Sequence, residues 1–257
     1  MDEEMLSASM VVYGDAQQAE ITINSVLSNT KKYPLSLYVI DNASPDGTAE
    51  KLGEIPNINL VRMEKNCGFG GGHNAVLTEI SSKYHAVINP DIKLDSDVLS
   101  HLVDVMEENS DIVMLTPKIL YADGGEQHLP KRHPTFRYLF LGRLARLGGI
   151  FKKIRKEYTR EEENIQSLTD IEFCTGCFFL IRSEIFKKVG GFDKRYFMYM
   201  EDADLSREVL KYGRVVFDPT VSVTHLWKRE SAKSLKLLFL HLSSAFKYLK
   251  KWRSKKV

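Results

Sequence analysis

Short apolar runs alternate with helix-patterned stretches as far as position 117, and each apolar run ends in a polar turn. L-S-A-S-M-V-V-Y at 6–13 reads as a strand, and A-Q-Q-A-E-I-T-I-N-S-V-L-S-N carries Ile21, Val26 and Leu27 at helical spacing. L-S-L-Y-V-I-D-N at 35–42 reads as a second, buried strand. A strand at 58–62, a glycine loop, a helix over about 72–82, a strand at 84–88, an N-P-D turn, a helix over 96–109 and a strand at 111–117 continue the pattern. Such alternation predicts an α/β fold with a parallel or mostly parallel sheet covered on both faces, because parallel neighbours need a crossover. Ligands of such sheets bind beyond the carboxyl ends of the strands. Three successive ends carry Asp41-Asn42, Asn66 with the glycine loop, and Asn89-Pro90-Asp91, so a shared cleft is expected there.

Further along, I-E-F-C-T-G-C-F-F-L-I-R at 171–182 reads as a strand and E-I-F-K-K-V-G-G-F-D as a short helix with a glycine stop. A-D-L-S-R-E-V-L-K-Y-G reads as a helix, followed by strands R-V-V-F-D-P and V-S-V-T-H-L-W. With 257 residues, 27% charged and 43% hydrophobic, the chain is globular, suited to one large domain or a domain with an appendage. M-D-E-E-M-L has no basic n-region, and no uncharged apolar run reaches the roughly 18 residues of a membrane span, so a cytosolic chain is expected. The three cysteines cannot all pair; C-T-G-C at 174–177 has redox or zinc spacing but no second pair, and buried, reduced thiols are expected.

The net charge of +2 hides an asymmetry. Ten Lys or Arg and one acid, Glu157, lie between Lys131 and Arg160, and ten against Glu230 alone lie from Lys228 to Val257. Both segments call for an anionic partner. Residues 232–252 place Leu235, Leu238, Phe239, Leu242, Phe246 and Leu249 at helical spacing, with Lys233, Lys236, Lys247 and Lys250 towards the other side. Such a basic amphipathic helix either docks on the core or lies in the headgroup layer of an anionic membrane. Residues 135–156 share the character, so a cytoplasmic protein peripheral to the inner face of the membrane is expected, with no nucleic-acid partner and a homodimer left open.

The candidate chemistry centres on M-Y-M-E-D-A-D-L at 198–205, where Glu201, Asp202 and Asp204 follow an aromatic run. Acids in a first helical turn are stabilised by the macrodipole, and a carboxylate in a cleft can be catalytic; the stretch alone admits both. The loop N-C-G-F-G-G-G-H-N at 66–74 is neither a Walker A sequence nor G-x-G-x-x-G; its glycines would let backbone N–H groups approach a phosphate or sugar, or would simply form a tight turn. Asp91 could ligate a hard divalent cation, with a diphosphate completing the coordination, and His225 at a strand end could join it.

In order, V-V-Y-G, V-I-D-N-A-S-P-D-G-T at 39–48, the glycine loop, N-P-D at 89–91, T-G-C-F-F-L-I-R at 175–182, G-G-F-D-K-R-Y-F-M-Y-M-E-D-A-D-L at 190–205 and H-L-W-K-R-E-S at 225–231 form a series. It resembles the family 2 nucleotide-sugar glycosyltransferases, most closely their rhamnosyltransferase-like branch, from about Ser9 to Ser231. The resemblance implies a glycosyltransferase A-type fold, with a nucleotide-sugar half over about 1–120 and an acceptor half over about 121–231, ahead of the C-terminal helix at 232–257. It implies donor contacts at Val12, Tyr13, Asp41, Asn66, Gly68, Asn74, Asn89 and Asp91, with Asp41 on the nucleobase imino group. Asp91 and His225 would hold Mg2+ or Mn2+ on the donor diphosphate, Gly176 and Asp204 would lie on the acceptor side, and Asp202, beside Glu201, would be the catalytic base.

The activity so implied is inverting transfer of L-rhamnose from dTDP-L-rhamnose, or of a UDP-hexose or UDP-N-acetylhexosamine sugar, to a hydroxyl of a glycan or lipid-linked acceptor in cell-surface polysaccharide synthesis. Two positions depart from the family pattern: Asn89 replaces a frequent first aspartate, and Glu208 stands where many relatives have Arg, with Arg207 one residue earlier. A non-catalytic nucleotide-sugar binding module would be favoured by loss of Asp91 or Asp202, and both are present. A nucleotidyltransferase would need a Gly-rich, basic triphosphate loop, which V-V-Y-G-D-A-Q-Q-A lacks.

Overall fold

The computed structural model describes residues 4–226 and 235–253. Residues 1–3, 227–234 and 254–257 lie outside the described residues, and with them most of H-L-W-K-R-E-S and the last four residues of the cationic tail.

Strand β1 (Leu6–Val12) is covered on both faces, so nearly every one of its side chains is buried. Helix α1 (Ala16–Asn29) follows a turn in which Gly14 and Asp15 both adopt positive φ, and Asp15 Oδ1 caps it by accepting from the Gln18 N–H at 3.2 Å. β2 (Leu35–Asp41), the short α2 (Thr48–Leu52) and β3 (Asn59–Arg62) come next. β2 pairs in parallel with β1 and β3 with β2, while β4 (Tyr84–Ile88) lies parallel to β1 on its other side. This half of the sheet is as the alternation predicts.

The glycine stretch differs from expectation. Instead of a helix over 72–82, the chain forms α3 (Gly68–His73), continued only by a 3₁₀ turn at Asn74–Val76. Close packing is the reason. A Cβ on Gly68 (φ +77°) would stand 1.9 Å from the Phe197 carbonyl oxygen, one on Gly70 2.6 Å from Phe192, and one on Gly72 2.7 Å from Val11. The glycines press the helix onto β1 and onto the segment before the acid motif.

The second half is mixed. β5 (Ile92–Lys93) is a two-residue strand, α4 (Val98–Glu108) is capped by Asp97, and β6 (Ile112–Leu120) precedes irregular helical turns at 137–147 and α5 (Gly149–Thr159). β7 (Thr169–Asp170) pairs with the last strand, and β8 (Phe178–Arg182) runs antiparallel between β4 and β6. After α6 (Ser183–Lys188) and α7 (Glu201–Val209), β9 (Arg214–His225) is one strand rather than two; it keeps parallel pairing to β6 through a register irregularity opposite Pro117 and Lys118, where Pro219 sits. The order across the sheet is β3-β2-β1-β4-β8-β6-β9-β5. Free Cys174 and Cys177 are buried, and burial pushes both thiols up, Cys177 to about 12.

Helix α8 (Leu235–Arg253) docks on the core, but by a different face from the one its leucine spacing suggests. Ala245, Tyr248 and Trp252 are buried against Leu139, Phe173, Tyr196, Met200 and Ala203, whereas Leu238, Phe239 and Phe246 point outward. The aromatic residues win because they combine large apolar area with a polar handle. Trp252 Nε1 donates to Asp204 Oδ1 at 2.8 Å, and Lys251 Nζ reaches Asp204 Oδ2 at 2.5 Å and also Asp193 and Glu208. Asp204 is 1% exposed, and Tyr196 donates a third hydrogen bond to it. Removing the cation strands a buried carboxylate, so Lys251→Met should cost about 3 kcal/mol, at the low end for a broken buried pair because two neutral donors remain. Urea unfolding measures this; an unchanged midpoint would show that α8 is held by apolar contact alone.

Candidate active site

The strand ends form one cleft of about 520 Å³, lined by Tyr13, Gly14, Asp15 and Gln18 from the β1–α1 turn, Asn89 to Asp91 after β4, Thr175 to Cys177 before β8, Met198 to Asp202, and His225 with Leu226. Its floor is set by strand pairing. Ile92 of β5 lies opposite His225 of β9, and the Leu226 N–H donates to the Asp91 carbonyl, so antiparallel register alone delivers His225 to Asp91.

Their side chains meet, with His225 Nε2 3.2 Å from Asp91 Oδ1. On the other side of the ring, Nδ1 lies 3.1 Å from Gln127 Oε1, while Gln127 Nε2 donates to the carbonyls of Leu120 and His225. The Gln127 oxygen is therefore the acceptor, Nδ1 carries the hydrogen, and a neutral ring turns the Nε2 lone pair toward a carboxylate oxygen. Two acceptors so placed call for a cation, either a proton or a hard divalent ion. The residues fit such an ion as a two-ligand platform. Among the described residues no group of three or more His, Cys, Asp or Glu is arranged around one point, so a diphosphate and water would have to complete its shell.

Across the cleft stand the acids. Tyr199 and Met200 both take φ +69°, a conformation that costs about 1–3 kcal/mol per residue and turns the chain sharply into α7. The three carboxylates then part. Glu201 points inward and is 5% exposed; Asp202 faces the cleft; Asp204 turns to the far side, under α8. Asp202 Oδ2 accepts from the Gly176 N–H at 3.0 Å and Oδ1 from the Ala203 N–H at 2.8 Å. Gly176 allows the approach, since a Cβ there would stand 3.2 Å from the Asp202 Cβ. Burial raises the Asp202 carboxyl above the ordinary carboxylate range, and the Gly176 N–H and the Lys131 charge oppose that rise. Burial, and then the Asp202 charge, push Glu201 up to about 8.

The model of Glycosyl transferase family 2 matches residues 7–190. The chain belongs to this family. N-acetylglucosaminyl-diphospho-decaprenol L-rhamnosyltransferase of Mycobacterium tuberculosis is 28% identical over 238 residues, 86% of this chain and 76% of that protein. Rhamnosyltransferase WbbL of Escherichia coli is 30% identical over 199 residues, 72% of this chain and 71% of that one. Among solved structures, GalNAc-T7 with UDP, GalNAc and Mn2+ superposes with a TM-score of 0.71 at 16% identity over 99% of this chain, which spans 49% of that one. A mannosyltransferase of Pyrobaculum calidifontis with GDP-Man and Mn2+ gives 0.66 at 16% identity, over 98% of this chain and 65% of that one. The fold is thus the glycosyltransferase A type.

In this glycosyltransferase, Tyr13, Asn89, Asp91, Gly176, Glu201, Asp202 and His225 gather at the cleft as the motifs suggest. Other expected contacts do not line it. Val12 is fully buried in the sheet, and Asp41 is 3% exposed with one oxygen on the Ser44 N–H. Asn66 and Gly68 belong to a network in which Asn42 Nδ2 donates to Asn66 Oδ1 and to the Gly68 carbonyl. Asn74 pairs with both backbone groups of Phe192 and ties α3 to the acid-motif segment. Asp204, expected on the acceptor side, is enclosed by Tyr196, Lys251 and Trp252. Gln127 lies outside every quoted motif and reaches His225 through the return of the chain after β6, whereas Thr175 and Tyr199 stand inside quoted motifs without an expected role.

Glu201 supplies a pH test. Its folded-state value lies above the ordinary 4.5, so its contribution to stability is complete below that pH and is lost as pH rises towards about 8. Glu201→Gln should therefore flatten the decline in stability between about pH 5 and pH 8. Urea midpoints at both ends measure this, and parallel declines in the two proteins would show that Glu201 ionises freely when folded.

Proposed function

We infer that this family 2 enzyme moves a sugar, best read as L-rhamnose from dTDP-L-rhamnose, with inversion onto a hydroxyl of a lipid-linked glycan in cell-surface polysaccharide synthesis. The observation that carries this reading is the position of Asp202, a desolvated carboxylate on the cleft wall facing the Asp91–His225 pair. The names of two relatives support rhamnose as the sugar, and that of the mycobacterial one supports a diphospholipid acceptor.

The chemistry follows from one base and one leaving group on opposite sides. Asp202 takes the proton of the acceptor hydroxyl as its oxygen attacks the anomeric carbon, and the C–O bond to the donor diphosphate breaks on the other face. A single displacement inverts the centre. The transition state resembles an oxocarbenium ion, which the nearby negative charge of Asp202 stabilises. Asp91 and His225 would hold Mg2+ or Mn2+, which offsets the negative charge developing on the diphosphate. Gly176 N–H keeps Asp202 in place, and Glu201, buried and pushed towards its neutral form, adds little competing charge.

Asp202→Asn should still bind the nucleotide-sugar but lose roughly 10²-fold or more in turnover. The acid limb of the wild-type kcat/KM profile should lie above the ordinary aspartate range of about 3.9, since the active form is the deprotonated one and its pKa is raised. Asp91→Ala should instead weaken Mn2+-dependent donor binding. Near-wild-type turnover in Asp202→Asn would remove it as the base, and full activity in excess chelator would remove the metal.

The outer face supports a cytoplasmic enzyme peripheral to the inner face of the membrane. Phe136 stacks on Phe140, which contacts Phe246 of α8, so the 136–150 segment and α8 form one face. It exposes Phe136, Leu147, Ile150, Phe239 and Phe246, together with the cations Arg146, Lys152 and Lys153. No described helix is long and apolar enough to cross a membrane. Apolar side chains among cations suit the headgroup layer of an anionic bilayer. The protein should co-sediment with phosphatidylglycerol-rich vesicles, less at high salt, and Phe136→Ser with Phe239→Ser should reduce this; equal sedimentation with neutral vesicles at all salt concentrations would refute it.

A further inference from the structure

Behind Asp202 lies a second chamber of about 430 Å³, which shares Thr175, Tyr199, Glu201, Asp202 and His225 with the donor cleft. Its remaining walls are cationic and aromatic: Lys131, Arg143, Arg155 and His241 stand with Tyr158 and Phe173. The basic segment that supplies them divides into two sets. Arg132, Arg137, Lys156 and Arg160 are spent on Glu163, Glu157, Glu161 and Glu162. Lys131, Arg143 and Arg155, the three that reach the chamber, make no ion pair among the described residues, and Lys131 Nζ lies 5.2 Å from the centre of the Phe173 ring. Burial lowers Lys131, and the Asp202 charge opposes that fall; Arg143 and Arg155 are exposed where the chamber opens to the surface. His241, pulled down to about 4 by burial, adds a neutral ring against Tyr199.

Three cations that converge on one chamber without an ion pair among the described residues offer charge-assisted donors to an anion, Lys131 from its half-buried wall and Arg143 and Arg155 from its exposed rim. The same turn that carries Arg143 continues into Leu144, Leu147 and Ile150 on the outer apolar face. An anion with an apolar extension would therefore find charge inside and a greasy exit outside. We propose that this chamber seats the diphosphate of a lipid-linked acceptor, with Lys131, Arg143 and Arg155 as its counter-charges and the lipid leaving over Leu144 and Leu147. A sugar on that diphosphate would then reach Asp202 from the side opposite the donor. The proposal rests on the glycosyltransferase reading of the cleft and adds the acceptor's recognition group to it.

The test is calorimetric titration of the full chain with geranyl diphosphate, inorganic pyrophosphate and geraniol in chelator, with dTDP and Mn2+ titrated separately to report the donor cleft. Geranyl diphosphate should bind wild type more tightly than pyrophosphate, and geraniol should not bind. Lys131→Met, and the double variant Arg143→Gln with Arg155→Gln, should each weaken geranyl diphosphate roughly tenfold or more while leaving dTDP binding within a few-fold. Because Arg143 and Arg155 are exposed, the double variant keeps the test intact should Lys131→Met fail to fold. Unchanged geranyl diphosphate affinity in the double variant, or no binding by wild type while dTDP still binds, overturns the proposal and leaves the donor cleft standing. Equal affinity for pyrophosphate and geranyl diphosphate overturns the lipid-linked source. Failure of wild type to bind dTDP with Mn2+ overturns the parent reading instead.

Discussion

One buried carboxylate fixes the geometry on which the site depends. Asp204 has Tyr196 from its own segment and Lys251 and Trp252 from the C-terminal helix as partners, and its burial would be prohibitive without them. With Asp204 pinned on the far side, Asp202 must present toward the cleft, since side chains two apart in a helical turn diverge by about 200°. The strained Tyr199–Met200 pair completes the turn, and the packing that over-determines it includes Met200 against α8. The last helix is thus part of the support of the base. Arg207, one turn on, stacks its guanidinium 4.4 Å from the Trp252 ring centre and belongs to the same junction.

Much of this was legible in the chain. β1, β2 and β4 announce themselves as apolar runs ending in polar turns, and their parallel pairing follows from the helices between them. Phe178–Arg182 looks the same in sequence yet runs antiparallel, because a strand buried on both faces carries no mark of direction. β5 has two residues and no period to read, although its pairing is what brings His225 to Asp91. The glycine loop admits two readings in sequence because Gly favours close approach of anything, and the groups that approach within the fold are Phe197, Phe192 and Val11.

The acid motif posed a choice between helix-start acids and a catalytic carboxylate, and the structure makes the two compatible. All three lie in the first turn of α7, where the helix dipole favours negative charge; Glu201 and Asp202 line the cleft, Glu201 the more buried of the two, and Asp204 does not. Spacing alone could not separate Asp202 from Asp204, because what distinguishes them is α8, about fifty residues on. The C-terminal helix is open in the same way between core and membrane: Tyr248 and Trp252 dock it, Trp252 as a partner for a buried charge, while Leu238, Phe239 and Phe246 of the periodic face stay exposed.

The electrostatics of the seam between cleft and chamber bear on why one carboxylate can act as a base there. Desolvation alone would drive Asp202 towards its neutral form, in which it could take no proton. Backbone N–H groups, that of Gly176 first and that of Ala203 after it, oppose this, as does the Lys131 charge, which reaches Asp202 from the chamber. The dependence is mutual, since the Asp202 charge in turn helps keep Lys131 protonated against its own burial. A diphosphate entering the chamber would add negative charge beside Lys131, weaken its hold on Asp202 and raise that carboxyl further, strengthening the base once the acceptor is seated.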